Sequence, residues 1–233
     1  MKELIADLFV SKFFKTKTHS TPVYDFQRGF VCFHISMIWD NNDDIRLIEC
    51  ANERRTVQHF LNDCREERRP YVFLTSTMTV KPLRRLLVPV SMLEEETYKA
   101  EICTYLARKT GAHIILLLAN DYGSHARQNL NRIVTHINKI NERLTTLPSM
   151  EGTEAGSPIS YEVVPARKDS FALIQEAVER QRDFRHDLLI LTASRDYGLD
   201  DILFGPPERK AIQRALVPVM LVNPREDLFS LCD

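Results

Sequence analysis

The sequence predicts a doubly wound α/β fold, with five parallel strands and helices on both faces of the sheet. Three observations carry this reading. Short apolar runs recur at Leu86 to Val90, Ile114 to Leu118, Tyr161 to Val164, Leu188 to Leu191 and Val217 to Val222; runs of that length suit strands buried on both faces. Segments with apolar residues at helical spacing lie between them. A parallel return needs a crossover, and crossovers are right-handed, so strand and helix alternation of this kind points to helices above and below one sheet.

The chain of 233 residues exceeds the commonest domain size, which suggests one full domain and a smaller unit. Hydrophobic residues make up 44% and charged residues 27%, an ordinary globular balance. A net charge of -1 gives no general attraction to nucleic acid or anionic lipid. No apolar run approaches the roughly 20 residues of a membrane helix, and the first residues lack a signal-peptide pattern, so a cytoplasmic protein is expected. The five cysteines, Cys32, Cys50, Cys64, Cys103 and Cys232, are odd in number and widely spaced. That argues against a disulfide frame or a zinc site and favours buried thiols for Cys32 and Cys103. His113 and His186 each precede a strand, where a polar side chain is expected to meet solvent.

Taken in order, Lys2 to Phe14 has the period of an amphipathic helix, with Leu4, Ile5, Leu8, Phe9 and Phe13 on one side. Phe30 to Ile35 reads as a strand, the Asn/Asp cluster at Asp40 to Asp44 as a turn, Glu53 to Glu66 as a helix, and Tyr71 to Leu74 as a second strand. From Arg84 the alternation becomes regular. Leu86 to Val90 is a strand and Glu94 to Arg108 a helix stopped at Thr110-Gly111; Ile114 to Leu118 is the next strand. Leu130, Ile133, Ile137, Ile140 and Leu144 form the core stripe of a long helix. Leu147 to Pro158, rich in Ser, Gly, Thr and Pro, is a surface connection. After Tyr161 to Val164, Ser170 is a candidate N-cap for a helix lined by Phe171, Ile174, Ala177 and Val178. Leu188 to Leu191 and the closing run then flank a helix entered at Pro206 and Pro207, with Ala211, Ile212 and Ala215 inward.

In such sheets ligands gather beyond the carboxyl ends of the strands, where the strand order reverses. For the order 3-2-1-4-5 that crevice lies between Ser91 and the stretch from Thr192 to Gly198. No G-x-S-x-G elbow, Walker A loop, G-x-G-x-x-G fingerprint or HExxH helix is present in the sequence.

Three stretches bear a family likeness: LLVPVS at Leu86 to Ser91, LARKTGAHIILLLA at Leu106 to Ala119, and YGLDDILFG at Tyr197 to Gly205 followed by a helix and VPVMLV. In this order and spacing, Arg84 to Asn223 resembles a universal stress protein domain of the UspA type, an adenine-nucleotide alpha-hydrolase-like fold. The resemblance implies an ATP site with an Asp after the first strand and a loop of the form G-x2-G-x9-G-S/T. Ser91 stands at the Asp position, and Thr192 and Arg195 stand where the first two loop glycines belong. Gly198 matches a frequent extra glycine, Gly205 remains, and Pro206 replaces the Ser or Thr. Lost glycines and a proline without an amide donor remove the phosphate cradle. Asp196, Asp200 and Asp201 add negative charge beside it.

The resemblance also suggests how the first eighty residues fit. Glu53 to Gln58 (ERRTVQ) echoes Glu208 to Gln213 (ERKAIQ), each followed by an apolar strand. This implies residues 1–80 as a truncated stress-protein-like half-domain and residues 81–233 as the complete domain; an unrelated N-terminal cap is the alternative. In the family, fifth strands of two domains pair antiparallel. Val219, Met220, Leu221 and Val222 would otherwise form an unpaired edge, so they are expected to pair within the chain with Tyr71, Val72, Phe73 and Leu74. Any homodimer is then expected to use another surface. The resulting expectation is a non-enzymatic stress-response protein, without cofactor, that acts through dimerisation or partner contact. The alternatives are an ATP- or AMP-binding member with slow hydrolysis, and an enzyme of another doubly wound family.

Overall fold

The computed structural model describes residues 46–64, 70–146, 158–193 and 205–223. The expected elements at Lys2 to Phe14, Phe30 to Ile35 and Asp40 to Asp44, the connection after Thr146, and Arg195 and Gly198 lie outside the described residues. Within them is one sheet of seven strands: β1 (Arg46–Cys50), β2 (Tyr71–Thr75), β3 (Arg85–Val90), β4 (His113–Leu118), β5 (Tyr161–Pro165), β6 (Leu188–Thr192) and β7 (Val219–Val222). The order is β1-β2-β7-β6-β3-β4-β5. The last five strands to appear in the sequence are parallel and carry the 3-2-1-4-5 order expected for the complete domain.

Strand β2 continues the sheet by pairing antiparallel with β7, Tyr71 opposite Leu221, Val72 opposite Met220 and Phe73 opposite Val219. Leu74 lies past that register and pairs with Glu49 of β1 instead. Strand β1, which the sequence reading passed over, runs parallel to β2. Its RLIEC sequence has no apolar run and only Ile48 is buried, so periodicity had little to register.

The helices are α1 (Arg54–Cys64), α2 (Lys99–Thr110), α3 (His125–Thr146), α4 (Leu173–Glu179), α5 (Gln181–Phe184) and α6 (Pro207–Arg214). Alternate strand residues point to opposite faces, and two cores result. Leu86, Val88, Ile114, Leu116, Ile190 and Met220 meet Cys103 and Leu106 of α2 and Ile133 and Ile137 of α3. Leu87, Ile115, Leu117, Leu189, Tyr71 and Phe73 meet Val57 and Leu61 of α1, Ala177 of α4 and Ile212 of α6. Tyr71 and Phe73 make an edge-on ring contact, with centroids 5.9 Å apart, in the second of these cores.

Three local expectations need correction. The segment read as one helix from Glu94 starts as a 3-10 turn, Glu94–Tyr98, and becomes α-helical only at Lys99; it ends on Gly111 at φ 70, a left-handed cap. Ser170 does not cap α4, whose N-cap is Ala172; its hydroxyl is used between loops, as described below. His186 does not meet solvent. The chain turns through Arg185 at φ 48 and carries His186 inward just before β6, the central strand, where it is 4% exposed. Burial first, and then the Arg85 charge, push its pKa down to about 4.

Candidate functional site

The crevice of a doubly wound sheet opens where neighbouring strands part, and here that is between β3 and β6. Their pairing runs through Leu86–Leu188 and Leu87–Leu189 and goes no further, whereas β3 stays paired with β4 to its end at Val90. Pro89 explains the difference in part, because it has no amide hydrogen to give a ladder. Its free carbonyl accepts a hydrogen bond from Lys99 Nζ. Lys99, 1% exposed, also forms an ion pair with Glu96. A buried charge of this kind is tolerated when it is paired and hydrogen-bonded. The root of the crevice is therefore occupied by a lysine of the chain itself.

Ser91 is buried directly after β3. Its hydroxyl accepts from the Leu93 amide at 3.3 Å, and its carbonyl accepts from Asn129 Nδ2 at 3.0 Å. The same amide nitrogen donates to the Leu93 carbonyl at 2.7 Å, so α3 clamps the turn after β3. The turn is held from the other side by Ser170, whose Oγ accepts from the Met92 amide at 2.9 Å and itself bonds the Asp121 carboxylate. The Ser170 amide donates to Asp121 Oδ1 at 2.9 Å. The loops after β3, β4 and β5 are thus one hydrogen-bonded rim, and the Met92 and Leu93 amides are engaged within it.

Glu176 secures the same rim from below. Burial pushes its carboxyl pKa up, but the amides of Arg167 and Lys168 and the Arg180 guanidinium outweigh that and hold it below its ordinary value. The bonds measure 2.9 Å from the Arg167 amide, 2.8 Å from the Lys168 amide and 2.7 Å from Arg180 Nη1. A carboxylate accepting several N–H bonds is the usual cause of such a shift.

Across the crevice, Thr192 ends β6, and its Oγ1 is buried without a hydrogen-bond partner among the described residues. Gly205 precedes α6 with φ 81, a conformation that side-chain-bearing residues rarely adopt. Close approach is the second reason for glycine here: a Cβ at this position would lie 1.5 Å from Arg209 Nη2. The space on the Cβ side of Gly205 is therefore taken by a guanidinium from the next turn of the chain. Arg209 is 6% exposed and donates through Nη1 to Gln58 Oε1 of α1 at 3.0 Å. Pro206 is the N-cap of α6 and Pro207 its first residue, neither with an amide hydrogen to offer. Glu208, 2% exposed, puts a carboxylate in the first turn, where it complements the helix dipole.

The structure brings Ser91, Thr192 and Gly205 to the same end of the sheet. Sequence reasoning missed Lys99 and Arg209. Both carry a signal in hindsight: Lys99 stands on the apolar stripe with Ile102, Cys103 and Leu106, and Arg209 stands three residues before Ile212. A charged residue at an inward position of an amphipathic pattern is the sign of a buried, partnered charge. The thiols of Cys50 and Cys103 are pushed up to about 11 and about 12 by burial, which keeps them as inert thiols at neutral pH. Among the described residues no three His, Cys, Asp or Glu side chains are grouped to hold a metal ion. No helix among them is long and apolar enough to cross a membrane.

No protein-family model matches the sequence, and no curated protein sequence matches it. Solved structures do. A universal stress protein from Archaeoglobus fulgidus DSM 4304 superposes with a TM-score of 0.54 at 12% identity, over 83% of this chain and 66% of that one; this chain thus spans just under two thirds of that protein's length. A universal stress protein in complex with cAMP matches at a TM-score of 0.43 and 14% identity, over 62% of this chain and 100% of that one. UspA from Lactobacillus plantarum matches at 0.35 and 11%, over 61% and 99%. The likeness to the Archaeoglobus protein establishes a shared fold: the chain has the universal stress protein fold.

Proposed function

We propose that this chain is a non-enzymatic member of the universal stress protein family, acting in the cytoplasm through contact with protein partners, its nucleotide crevice closed by its own side chains. The observation that carries this reading is the Arg209 guanidinium seated on Gly205, with a Cβ-to-Nη2 separation of only 1.5 Å available there. Phosphate approach to that backbone requires the guanidinium to leave a buried position and its bond to Gln58. Lys99 and Glu96 fill the root of the same crevice. The fold supports the family, and the filled crevice supports loss of the ligand.

The same proposal takes β1–α1–β2 as the remnant of a second domain. Each of β1–α1–β2 and β6–α6–β7 is a parallel strand, helix and strand, and they meet antiparallel at β2 and β7. The ERRTVQ and ERKAIQ stretches occupy the start of the helix in both, with Val57 and Ile212 equally buried. Since this internal pairing uses the edge of β7, a homodimer would form through another face.

A second reading, a nucleotide-binding member with slow hydrolysis, draws on Thr192 Oγ1, a buried polar atom facing the carboxyl end of β6. Equilibrium dialysis of the full chain with labelled ATP decides between them. No saturable binding is expected. A low-micromolar dissociation constant, abolished by Thr192→Leu in a chain that circular dichroism shows to be folded, would establish that the crevice takes nucleotide.

A further inference from the structure

We infer that the rim formed by the loops after β3, β4 and β5 is the face through which two copies of this chain associate. This rests on the proposed function, in which the β7 edge is used within the chain and a homodimer needs another face, and it names that face. Three large apolar side chains stand out from the rim: Tyr122 is fully exposed, Phe171 is 82% exposed and Leu93 55%. Each comes from a different one of the three loops, and only Val163 and Leu216 among the other large hydrophobics of the described residues are exposed.

The hydrogen bonds of the rim hold these three side chains together. Leu93 follows Met92, whose amide donates to Ser170 Oγ at 2.9 Å, and Phe171 follows Ser170. Tyr122 follows Asp121, whose Oδ1 accepts from the Ser170 amide at 2.9 Å. The loops are also tied side by side, by the Ala119 amide to the Val90 carbonyl at 3.0 Å and by the Asn120 amide to the Lys168 carbonyl at 2.9 Å. An apolar platform carried on loops fixed in this way has little further backbone freedom to lose on binding.

Area and charge both select a second copy as the occupant. A tyrosine or phenylalanine presents about 150–250 Å², so at these exposures the three side chains offer on the order of 400 Å² of apolar surface. An interface is about 57% apolar, and a contact centred on them therefore covers on the order of 700 Å² per partner, inside the roughly 600–1,000 Å² of a standard dimer. The rim and the first turn of α3 carry charges of both signs, Arg127 and Arg167 with Asp169, all exposed. Neither guanidinium is bonded to a described residue, and Asp169 commits only Oδ1, to the Ala172 amide at 3.2 Å. An apolar centre bordered by both signs is complementary to itself across a two-fold axis, with arginines of one copy meeting the aspartate of the other. A partner of a single sign gains against one part of that border and loses against the other.

Sedimentation equilibrium of the full chain tests this. A monomer–dimer equilibrium with a dissociation constant on the order of micromolar is expected. It should weaken at least about tenfold in a Tyr122→Ser, Phe171→Ser double variant, and weaken also in an Arg127→Glu, Arg167→Glu variant, which sets like charges against Asp169. All four positions are exposed, so folding is retained and is checked by thermal melting. Val163→Ser, on the outer strand β5, is expected to leave association unchanged. A chain still monomeric at about 100 µM, far above that constant, would overturn the inference. So would a dimer indifferent to the Tyr122 and Phe171 changes, or one lost in Val163→Ser, which would put the contact on the β5 edge. A failure here leaves the closed crevice standing, since nucleotide dialysis decides that reading separately.

Discussion

Replacing Gly205 by alanine separates the two reasons for a glycine at that position. The first is backbone conformation: at φ 81 an L-residue is strained, by about 1–2 kcal/mol. The second is Arg209, whose Nη2 and Cζ lie 1.5 and 1.8 Å from where the new Cβ would be. The guanidinium has to move, and moving it breaks its bond to Gln58 Oε1, at about 1.5–3 kcal/mol for a hydrogen bond to a charged group. Gly205→Ala is therefore expected to lower stability by about 3–4 kcal/mol, combining these two principles at their middle values. In an Arg209→Ala background the second cost has already been incurred, and Gly205→Ala then costs only the conformational part, about 1–2 kcal/mol. The double-mutant cycle should give a coupling of about 2 kcal/mol. Urea unfolding of the four proteins, followed by circular dichroism, measures it. A coupling within about 0.5 kcal/mol of zero, the range seen for independent sites, would refute the seating of Arg209 on Gly205 and the closed crevice with it.

Phe73 is fully buried at the β2–β7 junction, so Phe73→Ala is expected to cost about 3–5 kcal/mol in the same assay; a loss under about 1 kcal/mol would mean the junction contributes little. A chain starting at Pro82 bares the β7 edge and should associate or precipitate, and a monomer of undiminished melting temperature in sedimentation and thermal scans would contradict this. His186 has a folded pKa near 4 against an ordinary 6.5. The unfolded chain takes up its proton first, so this contribution is whole above pH 6.5 and fades as pH falls toward 4, by about 3 kcal/mol in all. His186→Phe should flatten the pH dependence of stability across that window, and an unchanged slope would show that other groups set it. Glu176 is depressed rather than raised, so its stabilisation is present at neutral pH and is lost as acid protonates it. Glu176→Ala, which strands the Arg167 and Lys168 amides, should cost about 2–3 kcal/mol at pH 7 and less in acid.

Much of the fold was legible in the residues because burial on both faces of a parallel strand writes itself as a continuous apolar run. Leu86 to Val90, Ile114 to Leu118 and Leu188 to Leu191 could be placed from that pattern alone, and the right-handed crossover rule left few ways to wind them. Strand β1 could not be read this way. RLIEC buries a single residue, and it is a strand because β2 offers it a ladder, a fact about the partner and not about the segment.

The candidate site divides along the same line. The sequence by itself determined which residues stand at the carboxyl ends of β3 and β6 and before α6, namely Ser91, Thr192 and Gly205. Only the tertiary structure decided what fills the space. Lys99 reaches Pro89 because β3 and β6 part above Leu87, and Arg209 rests on Gly205 because Gln58, 151 positions earlier in the chain, holds its other side. Propensity and periodicity act over a few neighbouring residues, whereas a buried charge is settled by partners that folding brings from elsewhere.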